Sequence, residues 1–113
     1  MAIDRTSTLM RIYVSESERT AHRATFDAIV EALAAAGIAG VAVFKGIEGF
    51  GIRGRISAAS AVDTFVDLPI LLEIVDDDAE IRAFIPALEA ILIDGLVTLE
   101  PVQMLLFRER EGT

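Results

Sequence analysis

The residues best suited to chemistry lie in one stretch and one pair. The stretch is GIAGVAVFKGIEGFGIRG, Gly37 to Gly54, and the pair is Arg108 with Arg110 near the C-terminus. Six of the eight glycines fall in the stretch: Gly37, Gly40, Gly46, Gly49, Gly51 and Gly54. Glycine inside a helix or strand costs about 0.5–1 kcal/mol relative to alanine, so such crowding implies unusual dihedrals or a close approach to the backbone. Bare backbone offers its amides to an anion, and Lys45, Arg53 and Arg55 stand beside it with only Glu48 opposing. Arg108 and Arg110, two apart, would face one side of an extended chain, where arginine forks suit phosphate. The plainer alternatives are a helix cap, strand and hairpin tip for the glycines, and a solvated tail for the arginines.

Three other constellations imitate known chemistry. Gly49, Gly51 and Gly54 spell G-x-G-x-x-G, with Asp76 about twenty residues further on. That fingerprint needs a strand ending at the first glycine and a helix opening after it. Here Lys45 to Glu48 intervene, RISAASAVDTFVD is a weak helix stopped by Pro69, and the chain is short for a doubly wound sheet. His22, the single histidine, is expected on the apolar side of the first helix, four residues before Phe26, as a boundary residue. A base in a triad would need support such as a G-x-S-x-G elbow, which the sequence lacks. Asp76, Asp77 and Asp78 could hold a hard cation, but at a helix start they serve better as caps. No metal site and no catalytic residue is expected.

Composition narrows the classes. A chain of 113 residues is one domain, 1–113, able to bury about two-thirds of its unfolded surface. It has no cysteine, so thiolate chemistry and Cys-type zinc sites are excluded. A net charge of −8 argues against nucleic acid, which demands a concentrated basic surface. The charge is uneven, however: Asp76 to Glu100 holds seven acids and one base, Arg82. Screening over about 8 Å leaves the local bases around Arg53 able to hold a small anion. The polar start, MAIDRTST, is no signal peptide, and no apolar run reaches membrane-spanning length. A soluble, cytoplasmic protein is expected.

Several elements must position these residues. Thr8 to Ser15 alternates as a strand, and Ser15 with Glu18 has capping-box spacing for a helix carrying Phe26, Ile29, Val30 and Leu33. Gly37 ends that helix. Gly40 to Ile47 reads as a second strand, followed by a long polar connection over 49–67 that is expected to be flexible and functional. Pro69 opens a buried strand, PILLEIV. Asp77 or Asp78 caps a helix with Ile81, Phe84, Ile85, Leu88, Ile91 and Leu92 as its stripe, kinked at Pro86. Leu96 to Phe107 supplies the last strand, interrupted near Pro101. Strand, helix, strand, loop, strand, helix, strand predicts an α+β, ferredoxin-like βαββαβ plait. Fold alone gives no function.

The segments GIAGVAVFKGIEGFG, VDLPILLEIVD and IRAFIPALEAILIDGLVTLEPV resemble the domain-of-unknown-function family 190, small proteins similar to PII signal-transduction proteins. The likeness runs from about Leu9 to Phe107, and His22 matches a histidine at the start of that family's first helix. The resemblance implies a homotrimer whose loop after the second strand is a PII-like T-loop, binding adenine nucleotides in clefts between subunits. Gly49, Phe50 and Gly51 match the loop base, and Arg108 and Arg110 resemble the C-terminal arginine pair. Ile52 and Arg53 stand where PII proteins have Arg-Gln, and IDGLVTLEP replaces their Gly/Lys-rich phosphate loop. The loop has no tyrosine, which excludes uridylylation on that residue type. An acylphosphatase shares the plait, but by resemblance it needs an asparagine, and this sequence has none.

These readings converge on a regulatory protein that is not an enzyme and carries no resident cofactor. An anionic effector, an adenine nucleotide, is expected at Gly46, Gly49, Phe50, Gly51, Arg53, Arg55, Arg108 and Arg110. The expected partners are its own copies in a homotrimer and a membrane transporter or other regulated protein. The alternative is a structural or partner-binding trimer with no small ligand.

Overall fold

The computed structural model describes residues 2–49, 57–58 and 67–108. In chain order these form β1 (Ala2–Ser15), β2 (Arg19–Thr20), β3 (Arg23–Ala24), α1 (Thr25–Ala35), β4 (Ala42–Lys45), β5 (Glu48–Gly49), β6 (Ser57–Ala58), β7 (Pro69–Asp76), α2 (Asp78–Ile91) and β8 (Leu96–Phe107). The four long-range strands make one antiparallel sheet in the order β4-β7-β1-β8. This is the strand order of a ferredoxin-like plait, as the alternation of elements predicts.

Alternation sorts the sheet into two faces. On β7, Ile70, Leu72, Ile74 and Asp76 are buried while Leu71, Glu73 and Val75 are half-buried. Register places Met10, Ile12 and Val14 of β1 beside the first set, and these pack with Ile29 and Leu33 of α1 and Ile81, Phe84 and Leu88 of α2. Each such burial is worth about 1.5–3 kcal/mol. Both helices therefore lie on one face. On the opposite face Ser7 and Leu9 are also buried, whereas Tyr13, Phe44 and Leu96 are exposed and form one cross-strand row with the half-buried Leu71. Beside that row Arg11 bridges Glu73 and Glu100 at 3.2 Å each. These carboxylates hold its guanidinium even more firmly charged, Glu73 foremost through its hydrogen bond.

Helix α1 closes as Gly37 predicts. Gly37 has φ +78, its N–H donates to Ala34 O, and the Ile38 N–H donates to Leu33 O at 3.2 Å. This is a Schellman closure, which a left-handed residue makes possible. Gly95 is fixed by space: a Cβ there would sit 2.9 Å from the Tyr13 carbonyl oxygen and 2.8 Å from Leu92 Cδ1.

Four expectations are corrected. The Ser15–Glu18 spacing does not start a helix; the Glu18 N–H donates to the Ser15 carbonyl in a turn, and α1 begins at Thr25. The residues between form the β2–β3 hairpin, whose two-residue turn is Ala21–His22 with φ of 51° and 68°. His22 thus sits exposed at a hairpin tip, not on the apolar side of α1. Thr20 anchors this hairpin, its hydroxyl lying 2.8 Å from that of Thr25 and donating to the Ile91 carbonyl at 3.1 Å. Finally, β8 runs unbroken through Pro101, and β1 begins at Ala2 rather than Thr8. An edge strand tolerates proline because one of its sides needs no donor.

Candidate functional site

The predicted site is built around the root of the segment joining β4 to β7. Its two ends run side by side, since Lys45 pairs with Ile70. Gly46 N–H donates to the Pro69 carbonyl at 2.8 Å. A Cβ on Gly46 would meet Pro69 Cγ at 2.6 Å, so only glycine lets the chain pass here. The Gly46 amide is therefore spent inside the fold, and its contribution is close packing. Beyond it Gly49 pairs with Ser57, and Glu48 with Ala58, as a short two-stranded ribbon.

The returning end is stitched to the hairpin region. Glu16 N–H donates to Leu68 O at 2.9 Å, Ser17 N–H to Asp67 Oδ1 at 3.0 Å, and Lys45 Nζ reaches Glu16 Oε1 at 2.8 Å. The ion pair is exposed and worth about 0–1 kcal/mol; the backbone bonds do more to fix the root. Phe50, Gly51, Arg53, Arg55 and Arg110 lie outside the described residues.

Arg108 is exposed and directly follows β8. Strand β8 starts beside Tyr13, near the loop root, and ends beside Ala2. Eleven residue steps at strand rise put Phe107 roughly 37 Å from Leu96. One chain therefore does not bring Arg108 to Gly46 and Gly49. These residues can share a ligand only across a boundary between copies.

The three aspartates sit at the end opposite the loop root and are each committed elsewhere. Asp76 accepts the Asp77 N–H at 2.7 Å and the Ala39 N–H at 3.2 Å. Asp77 pairs with Arg5 at 3.2 Å. Asp78 accepts the Thr8 hydroxyl at 2.7 Å and Arg82 Nε at 3.3 Å. Thr8 first, and Arg82 after it, hold the Asp78 carboxyl below the usual aspartate range against partial desolvation. Asp77 occupies the N-cap position of α2 without a side-chain cap bond. Among the described residues no group of three or more metal-ligating side chains converges. No helix among them is long and apolar enough to cross a membrane.

Sequence reasoning missed the stitch of Glu16, Ser17 and Asp67, and the Arg11 bridge across three strands. Both depend on antiparallel register between distant segments, for which no local signal exists.

Residues 7–104 match the family DUF190, described as an uncharacterized ACR. The chain belongs to the DUF190 family. A UPF0166 protein of Aquifex aeolicus is 29% identical over 97 residues, covering 86% of this chain and 91% of that protein. Another, from Methanocaldococcus jannaschii, is 32% identical over 90 residues, covering 79% and 82%. Among solved structures the fold resembles CPII of Thiomonas intermedia K12, a nitrogen regulatory PII-like protein. That match has a TM-score of 0.57 at 15% identity, covers 90% of this chain and 91% of CPII, and CPII is there bound to ADP, AMP and bicarbonate. The apo form of CPII matches with a TM-score of 0.55 over 94% of this chain and 99% of CPII. The DUF190 chain thus has a PII-like, ferredoxin-like α+β fold.

Proposed function

We propose that this DUF190 protein is a non-enzymatic, PII-like regulator that works in the cytoplasm. It assembles as a homotrimer and binds a small anion, an adenine nucleotide, in clefts between subunits. The observation that carries this reading is the loop root: a PII-like plait holds a long segment at both ends, at Gly46 and at Asp67–Pro69. Occupancy orders the segment 49–67, and a partner such as a membrane transporter reads the result. In this reading Gly49, Phe50 and Gly51 meet the ligand over a base packed by Gly46. Arg53 and Arg55 supply charge from the same chain, and Arg108 and Arg110 from the neighbour. The fold neighbour CPII, which holds ADP, AMP and bicarbonate, supports this choice of ligand class.

A thermal-shift panel of ATP, ADP, AMP, cyclic nucleotides and bicarbonate tests it. Ligand at 100 times its Kd adds about 2.7 kcal/mol to stability, a shift easily seen. No shift with any compound at millimolar concentration ends the nucleotide reading.

One observation favours a ligand-free trimer instead. Among the described residues at the root, Glu16, Glu48 and Asp67 outnumber Lys45 and Arg19, the latter donating to the Glu16 carbonyl. That reading predicts that replacing Arg108 and Arg110 leaves function intact while surface changes in 49–67 abolish it.

A further inference from the structure

We propose that Lys45 is a ligand-binding residue of the loop root held in reserve by Glu16, and that an anion taking Lys45 from Glu16 loosens the turn that leads into the β2–β3 hairpin. The inference rests on the anion site proposed above and adds its regulation.

Three segments meet at the root: the turn 15–19, the end of β4 and the approach to β7. Two adjacent residues, Glu16 and Ser17, join the turn to the other segments. Glu16 N–H donates to Leu68 O at 2.9 Å, and Ser17 N–H donates to Asp67 Oδ1 at 3.0 Å. Lys45 Nζ donates to Glu16 Oε1 at 2.8 Å. This last bond joins two side chains that are 54% and 31% exposed. Ion pairs so open to water contribute little to stability, so this one exchanges readily. A phosphate monoester carries about −1.5 to −2 charges at pH 7 and three acceptor oxygens, more than one carboxylate offers an ammonium. Arg19 is the poorer source of charge, because its Nη1 already donates to the Glu16 and Glu18 carbonyls at 3.3 and 3.4 Å. Pairing with Ile70 fixes the backbone of Lys45 beside Gly46. Its flexible stem can turn from Glu16 to a ligand without moving that backbone.

Loss of the ammonium leaves the Glu16 carboxylate facing the anion, with the Asp67 carboxylate held one residue away by Ser17. Repulsion among the three falls on the turn. That turn runs straight into β2, and its Glu18 carbonyl accepts the Thr25 N–H at the start of α1 at 2.9 Å. The hairpin beyond it is strained: Ala21 and His22 have φ of 51° and 68°, left-handed values that disfavour any residue with a Cβ. Such strain persists only where the surroundings hold it. Here the holding contacts are the turn and the bonds of Thr20 to Thr25 and to the Ile91 carbonyl. A strained hairpin on a loosened turn opens more often, so occupancy at the root is expressed at the exposed tip carrying His22.

Calorimetry and hydrogen exchange on the full chain test this, with ADP as the probe and Glu16→Gln and Lys45→Gln as variants. Both side chains lie at the surface, and cooperative melting verifies that each variant folds. Glu16→Gln removes the competitor and is expected to bind ADP about two- to fivefold more tightly. Lys45→Gln is expected to bind it tenfold or more weakly. In the wild type, ADP is expected to speed amide exchange over 16–24, and Glu16→Gln is expected to show faster exchange there before any ligand is added. Wild-type affinity in either variant, weaker binding by Glu16→Gln, or protection of 16–24 by ADP overturns the latch and leaves the anion site standing. A wild type that binds no ADP overturns the anion site and the latch with it.

Discussion

Gly46→Ala separates the packing role of this glycine from a ligand-cradling one. The added Cβ would lie 2.6 Å from Pro69 Cγ and 3.3 Å from both Pro69 Cδ and Pro69 O. A normal contact needs about a further 1 Å, and a proline ring cannot rotate aside. Pro69 is also held on its other side, since it pairs with Ser15. The strain therefore falls on the 2.8 Å bond from Gly46 N–H to Pro69 O. Overpacking costs about 1–3 kcal/mol and a weakened buried bond about 1 kcal/mol, so a net loss of about 2 kcal/mol is expected. For a chain of this size that lowers Tm by roughly 6–10 °C. Gly40→Ala is the control: nothing lies within 4 Å of its Cβ, so it is neutral or slightly stabilising. Circular-dichroism melts of the two variants decide the point. If Gly46→Ala melts with Gly40→Ala, the wedge against Pro69 is wrong, and the glycine is kept for something other than packing.

Three further substitutions test other parts of the fold. Ser7 Oγ is the one buried side-chain polar atom without a partner among the described residues, so Ser7→Ala is expected to be neutral or stabilising by up to about 1 kcal/mol in urea unfolding; a loss above 1 kcal/mol would reveal a missed partner. His22 sits at φ 68°, where non-glycine residues pay about 1–2 kcal/mol, so His22→Gly should raise stability by about 0.5 kcal/mol net of its unfolded-state entropy, and a lower Tm would contradict the turn geometry. Asp78 has a depressed carboxyl, so its contribution is present above its unfolded pKa and lost as pH falls through the lower folded value; Thr8→Val removes the largest cause and should flatten the stability–pH curve below about pH 4, whereas an unchanged slope would refute the role of that bond.

The plait was legible because its signals are local. Ile81, Phe84 and Leu88 recur at helical spacing, the apolar run after Pro69 marks a buried strand, and Gly37 marks a helix end that the left-handed closure bears out. Local signals also misled. Ser15 and Glu18 have the spacing of a capping box, yet a hairpin claims the residues after them, and Thr20 secures it through Thr25 and Ile91, the latter 71 positions away. The first six residues of β1 look like a polar tail until their partner, the end of β8, is known. The same limit governs the site. Gly46 stood out by residue type, but the reason for it is Pro69, brought alongside only by the return of the chain. The distance between Arg108 and the loop root is likewise a property of register, and no spacing in the sequence contains it.

The central claim is that an anion bridges the loop root of one copy and the arginines of the next. Calorimetric titration of ADP into the wild type and into an Arg108→Ala/Arg110→Ala variant tests it most directly. The expected result is saturable binding at one site per chain, weakened tenfold or more by the double substitution, since each charged hydrogen bond contributes about 1.5–3 kcal/mol. Equal affinity in both proteins, or no heat in either at millimolar ADP, would contradict it.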